Sequence, residues 1–308
     1  MMRDGNNQPS IGCSEQPHQM HRRDVLKSAA VVAATTIPSP AVAKELSDGH
    51  PPLIDTNVSL FRWPFRRLPL DRTEVLVDKL RALGVGQAWA GSFEGIFHRD
   101  LASANGRLFE ECRPYPGLLP VGSINPTLPG WQRDLDQCLS KFRMFAIRLH
   151  PGYHGYDLSD ESFRELLQRT AKAGCLVQVV VTMEDPRTQS ALVRVQDVDL
   201  APLPDLVSSI EGCRIHLLNH RLRGSQLEPW KRLNKVYFDT ARVEQTDGVA
   251  MLLRAVGASR VMLGTHAPFL IPEAALVRCC ESELSDTEIR SVVTESASLL
   301  RDELSRRG

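Results

Sequence analysis

A (β/α)8 barrel is the fold this sequence predicts, and three observations carry it. Short apolar runs alternate with helix-like segments eight times between about Leu53 and Leu300. Each unit takes roughly 30 residues, the spacing of such a barrel. Several runs, Leu176–Met183 above all, are nearly unbroken apolar and β-branched stretches, as parallel strands covered on both faces require.

Taken in order, Pro51-Pro52 breaks the chain and Leu53–Asn57 follows as strand one. The loop Phe61-Arg62-Trp63-Pro64-Phe65-Arg66-Arg67 leads to a helix that Asp71 or Thr73 caps. In that helix Val75, Leu76, Leu80 and Leu83 fall at helical spacing and Gly84 ends it. Strand two is Gln87–Ser92, with a helix from about Arg99 to Cys112. Strand three is Leu118–Asn125 between Pro116 and Pro126, with a helix over Gly130–Lys141. Strand four is Phe145–His150, with a helix that Asp160 opens and that runs to Ala173. Strand five, Leu176–Met183, precedes a proline-marked connection and a helix near Asp205–Ile210. Strand six is Arg214–His220, with a short helix around Gln226–Arg232. Strand seven is Val236–Thr240, with a helix over Gly248–Val256. Strand eight is Val261–Thr265, ending at His266; helices over Pro272–Glu281 and Asp286–Glu303 close the unit.

The chain has 308 residues, with 37 Lys plus Arg against 37 Asp plus Glu. A zero balance argues against a general binder of nucleic acid or anionic membranes. The seven cysteines form no CxxC pair and no Cys/His spacing of a structural zinc site. At the N-terminus, His21-Arg22-Arg23-Asp24-Val25-Leu26-Lys27 resembles a twin-arginine motif. The apolar stretch Ala29–Ile37 and an Ala41-Val42-Ala43 cleavage pattern follow it. Residues 1–43 are therefore expected to be an export signal, 44–52 a lead-in and 53–308 the barrel. The mature protein is expected to be periplasmic or otherwise exported, without a membrane span.

Several segments together resemble the amidohydrolase superfamily, in its amidohydrolase-related group. They are Leu53-Ile54-Asp55, Ile147-Arg148-Leu149-His150-Pro151, Leu176-Val177-Gln178-Val179, His216-Leu217-Leu218-Asn219-His220, Val236-Tyr237-Phe238-Asp239-Thr240 and the run from Arg260 to Pro268. The ending Ser296-Ala297-Ser298-Leu299-Leu300 is similar to that family's Asn-Ala-x-Arg-Leu. The resemblance implies a metal-dependent hydrolase with ligands at strand ends: a His-x-His on strand one, one His each on strands five and six, and an Asp on strand eight. Here those positions fall on Asn57 and Ser59, on Val180, on His220 and on His266. The position of a carboxylated lysine falls near Arg148. Two good ligands of five remain, fewer than the three a divalent ion needs. The resemblance thus implies a divergent member that lacks its relatives' metal; a rearranged zinc site would draw on Asp55, His220, His266 and His150.

What remains at the strand ends is a polar ring with histidines. His266 stands where the family's Asp takes a proton from water, and a neutral imidazole can do this near neutral pH. Arg148 could stabilise the oxyanion in place of a metal. His220 and Asp239 complete the expected catalytic set. Asn57, Arg62, Trp63, Arg66, His150, His154 and Tyr156 are the expected substrate contacts; Arg forks grip carboxylates, and Tyr153 and Tyr156 flank His154 in a loop that could close over a ligand. Trp63 has a second reading, as a seal of the barrel. The chain is expected to take a small carbonyl compound (a lactone, an amide or a carboxylated substrate) and to hydrolyse it. The alternatives are a non-catalytic binding barrel and a metalloenzyme or decarboxylase with a rearranged site. A homo-oligomer is compatible with the sequence.

Overall fold

The computed structural model describes residues 51–306. The export-signal reading of 1–43 lies outside the described residues. Nine parallel strands build the barrel: β1 Leu53–Leu60, β2 Val85–Ser92, β3 Leu118–Pro120, β4 Gly122–Ser123, β5 Ala146–Leu149, β6 Leu176–Val180, β7 Ile215–Leu218, β8 Val236–Asp239 and β9 Val261–Met262. β3 and β4 are one barrel strand interrupted at Val121, whose amide still donates to Ala90 O at 2.8 Å. Eight barrel strands therefore result, as the sequence predicts. Closure comes from Thr56 N donating to Leu263 O at 2.8 Å, Ser59 N donating to Ala267 O at 2.9 Å, and a parallel bridge between Val58 and Ala267.

Helices cover the outside by burying one stripe each. In the helix Glu161–Lys172, Phe163, Leu166, Leu167 and Thr170 are the buried residues, the i, i+3, i+4, i+7 pattern of an amphipathic helix. Two expected caps are not made. Asp160 accepts from Asp157 N instead of bonding to its helix, and Asp71 receives Arg67 Nε at 2.6 Å while Arg72 begins the helix Thr73–Ala82. β1 runs three residues beyond Asn57, because all eight of its residues are buried and Val58, Ser59 and Leu60 pair with Ala90, Gly91 and Ser92 of β2. The short segment after β7 is a 3-10 turn over Gly224–Trp230. Among the described residues no helix is long and apolar enough to cross a membrane.

The lumen is filled in layers, as in other barrels of this kind. At the bottom Ile54, Trp89, Val121, Leu176 and Met262 pack with Ala297, Leu300 and Leu304 of the final helix, Ser296–Ser305. Above them Arg148, Gln178 and His216 lie side by side in register on β5, β6 and β7. The top layer is apolar again, with Trp63, Leu68, Phe93, Ile96, Val180, Met183 and Leu218.

Candidate functional site

The strand ends converge on a buried hydrogen-bond network along the barrel axis. Asp55 accepts from Thr265 N and from Asn57 N at 3.0 Å each, and from Thr265 Oγ1 at 2.5 Å. Asn57 Nδ2 donates to Asp239 Oδ2 at 2.7 Å and to Asn219 Oδ1 at 2.8 Å. Asn219 N donates to the other oxygen of Asp239 at 2.9 Å, and Asn219 Nδ2 meets His266 Nδ1 at 3.2 Å. His266 Nε2 lies 2.8 Å from Met183 O. A carbonyl oxygen can only accept, so His266 carries its proton on Nε2 and its Nδ1 accepts from Asn219. Asn219 and His266 both hold φ of 56°, a left-handed turn that costs energy in a residue with a Cβ. The network holds both turns in place.

Burial sets the charges. Asp239 is wholly buried, and desolvation pushes its carboxyl up to about 7 despite the Asn57 and Asn219 bonds. Asp55 is raised by the same cause. Desolvation brings His266 down to about 3 and His220 to about 4, so both rings are neutral. Arg148, 1% exposed, donates to Gln178 Oε1 and Val58 O at 2.8 Å each, to Trp89 O at 3.2 Å and to Ser59 Oγ at 3.3 Å. Burial draws it down to about 10. A Cβ on Gly91 would stand 2.5 Å from Arg148 Nη1, and one on Gly264 would stand 2.9 Å from Asp239. Both glycines are there because the axis is full.

The expected site residues divide into four groups. Asn57, Asp239 and His266 meet on the axis, with Arg148 below them. His220 turns away: it packs on Phe238, its Nε2 donates to the backbone O of Asp239 at 3.1 Å, and its Nδ1 accepts from Leu222 N at 3.3 Å. Trp63 and Arg66 form the roof. Trp63 is 3% exposed and edge-on to Phe65, Phe93, Phe97, Tyr153 and Phe269. Arg66 pairs with Glu184 and lies over the Phe269 ring, which stacks on His266 at 5.1 Å. The remaining residues stand apart. Arg62 is exposed on the outer side of its loop. His154 points into the protein, with Nε2 3.2 Å from Gly95 O, rather than standing in solvent. Tyr156 is 6% exposed and packs on Phe163, so it does not close over a ligand. His150 is buried beside His154, next to a cavity of about 10 Å³ that it shares with Thr182 and Met183, room for about one water.

Sequence reasoning missed Asn219, Gln178, His216 and Thr265. Alternation along β7, with His216 and Leu218 facing the lumen, points to His220; the left-handed turn at Asn219, just past the strand, brings Asn219 to the axis instead.

Fold and centre together define a closed parallel (β/α)8 barrel with a buried polar network at its strand ends. No protein-family model and no curated protein matches the chain. Solved structures do. A 2,6-dihydroxybenzoate decarboxylase from Rhizobium aligns with a TM-score of 0.63 at 12% identity, over 83% of this chain and 99% of that one. The 5-carboxyvanillate decarboxylase of Novosphingobium aromaticivorans, complexed with manganese and 4-hydroxy-3-methoxy-5-nitrobenzoic acid, aligns at 0.63 and 14%, over 84% and 97%. A Staphylococcus aureus protein assigned as an amidohydrolase aligns at 0.61 and 10%, over 80% and 98%. At these identities the likeness is one of fold.

The residues at this centre do not fit a manganese-like ion as they are arranged. The oxygens of Asp55 and Asp239 already accept N–H and O–H donors, and both nitrogens of His220 and His266 are engaged. Among the described residues no group of three or more His, Cys, Asp or Glu could hold a metal. Arg148 adds a fixed positive charge just below.

Proposed function

We propose that this chain is a small-molecule-binding barrel of amidohydrolase type, whose strand-end centre is structural and holds no resident metal. One observation carries the reading: the polar side chains on the axis are spent on one another beneath an aromatic roof. A general base needs a free lone pair beside its substrate, and an oxyanion site needs free donors aimed at the developing charge. His266 has no free nitrogen, and all three nitrogens of Arg148 already bond to Val58, Ser59, Trp89 and Gln178. Binding has room beside the axis instead, in a cavity of about 620 Å³ walled partly by His220 and Arg242, within the size range of small-molecule sites.

A hydrolase or decarboxylase remains the second reading, and one observation favours it. Asp239 is driven to about 7 at the position where barrel chemistry is done, and strongly shifted carboxyls gather at functional sites. One experiment separates the two. The protein is purified without chelator or added metal, its metal content is measured, and 2,6-dihydroxybenzoate and 5-carboxyvanillate are followed by chromatography with and without manganese. The binding reading expects far less than one equivalent of metal and no product above the buffer control. Turnover that disappears in Asp239→Asn, or a stoichiometric metal, would replace it with the enzyme reading.

A further inference from the structure

We infer that the cleft between residues 220–231 and 242–255 binds a small organic anion with an apolar body, held by Arg242 together with Arg221 and Arg223. This deepens the binding reading by naming a place and a ligand class, and it rests on that reading.

The argument begins with Arg242, on the loop after β8. Its side chain is 6% exposed, and it lines the cleft. One guanidinium nitrogen, Nη2, donates to Met183 O at 3.3 Å, while Nε has no partner. Among the described residues no carboxylate lies within ion-pair distance of it; the pairs on this wall are made by its neighbours. A buried guanidinium left without a counter-charge is unfavourable unless an anion completes it. Desolvation and, after it, the positive charge of Arg221 draw the group down, while Glu244, Asp185 and Asp197 offset this only from beyond ion-pair distance. Lys231 is neutralised by Glu228 at 2.7 Å, and Arg254 by Asp247 at 3.1 Å. Arg221 has only Asp197, at 4.0 Å. Three arginines therefore face the cleft with Glu244 as the one acid of its lining not engaged in an ion pair.

Leu227, Val243 and Leu252 give the cleft an apolar face as well. Cations on one side and apolar surface on the other select a carboxylate or phosphate head, which Arg forks recognise, on a hydrocarbon or aromatic body. The volume of about 620 Å³ accommodates such a molecule.

The test uses the full chain at low ionic strength and reads binding by titration calorimetry, independently of any product formation. The probes are benzoate, phenyl phosphate and neutral benzamide. We expect one anion site per chain and benzamide at least tenfold weaker. Arg242→Met, which keeps an apolar stem, weakens the anion at least tenfold and leaves the ligand-free melting temperature unchanged or higher. Arg221→Gln combined with Arg223→Gln, on exposed positions, weakens the anion severalfold and guards against a folding artefact. Tighter phenyl phosphate marks a phosphate ester as the natural head group; tighter benzoate marks a carboxylic acid. The inference is overturned if neither anion saturates, if benzamide binds as well as the anions, or if the variants leave affinity intact. Turnover of carboxylated aromatics would overturn the binding reading but not the cleft, since the two are measured separately.

Discussion

Asp239 accepts two donors, Asn57 Nδ2 on one oxygen and Asn219 N on the other. That geometry makes a specific demand on any replacement. In Asp239→Asn the amide must turn its NH2 toward one of those donors, leaving a buried polar pair unsatisfied. Such a loss costs about 1–3 kcal/mol, and urea unfolding should register it as a lower midpoint with an unchanged slope. His266→Ala is expected to act in the same direction, because it strips the partner from Asn219 Nδ2 and from Met183 O and removes the stack on Phe269. Loss of stability, rather than loss of a reaction in an intact fold, is the signature of a histidine that holds structure together.

The loop after β1 behaves as a roof element with Trp63 as its keystone. Trp63→Ala should cost about 3–5 kcal/mol, the range for a buried aromatic, and limited proteolysis should then cut within the loop. Arg66→Ala should also be felt, at about 1–3 kcal/mol, because it leaves the buried Glu184 carboxylate without its partner. At this scale the sequence was readable to a definite depth. The strand series, its order and the barrel were legible, because apolar runs and breakers repeat with the period of the fold. The sealing role of Trp63 was one of two readings, and the aromatic residues that settle it, Phe93, Phe97 and Phe269, come from distant segments. The axis was only half legible. Asn57, Asp239 and His266 sit at strand ends and meet there, but strand alternation points to His220, and the left-handed turn at Asn219 that overrides it leaves no pattern in the sequence. Tyr156 and His154 resembled loop residues over a ligand until packing turned them inward.

Across the whole molecule, five buried imidazoles set the response to acid. His150, His154, His216, His220 and His266 are all held below the ordinary histidine value, chiefly by desolvation. The unfolded chain takes up protons on them near pH 6.5 while the fold does not, so their stability contribution is full above that pH and is lost as pH falls toward about 4. Asp239 works the other way. Its folded value of about 7 favours the fold progressively as pH falls through it. The imidazoles outnumber the two axial carboxyls, so the melting temperature should fall between pH 7 and pH 5, and fall more steeply in Asp239→Asn. A flat profile over that range would contradict the neutral assignment of these rings.

The closure of the barrel has a further consequence, in time rather than in space. Asp55 and Thr265 are 210 positions apart, and Thr56 meets Leu263 across 207. While the chain is being made, the first strand leaves the ribosome long before its last neighbour exists. Its Asp55 carboxylate then has no Thr265 to receive, and one edge of the growing sheet stays bare. Contacts so distant in sequence form slowly, and an open edge invites pairing with another chain. The nascent protein is therefore expected to be most prone to pairing with other chains before its last strand is made, and to lose that tendency once the chain following β9 closes on β1.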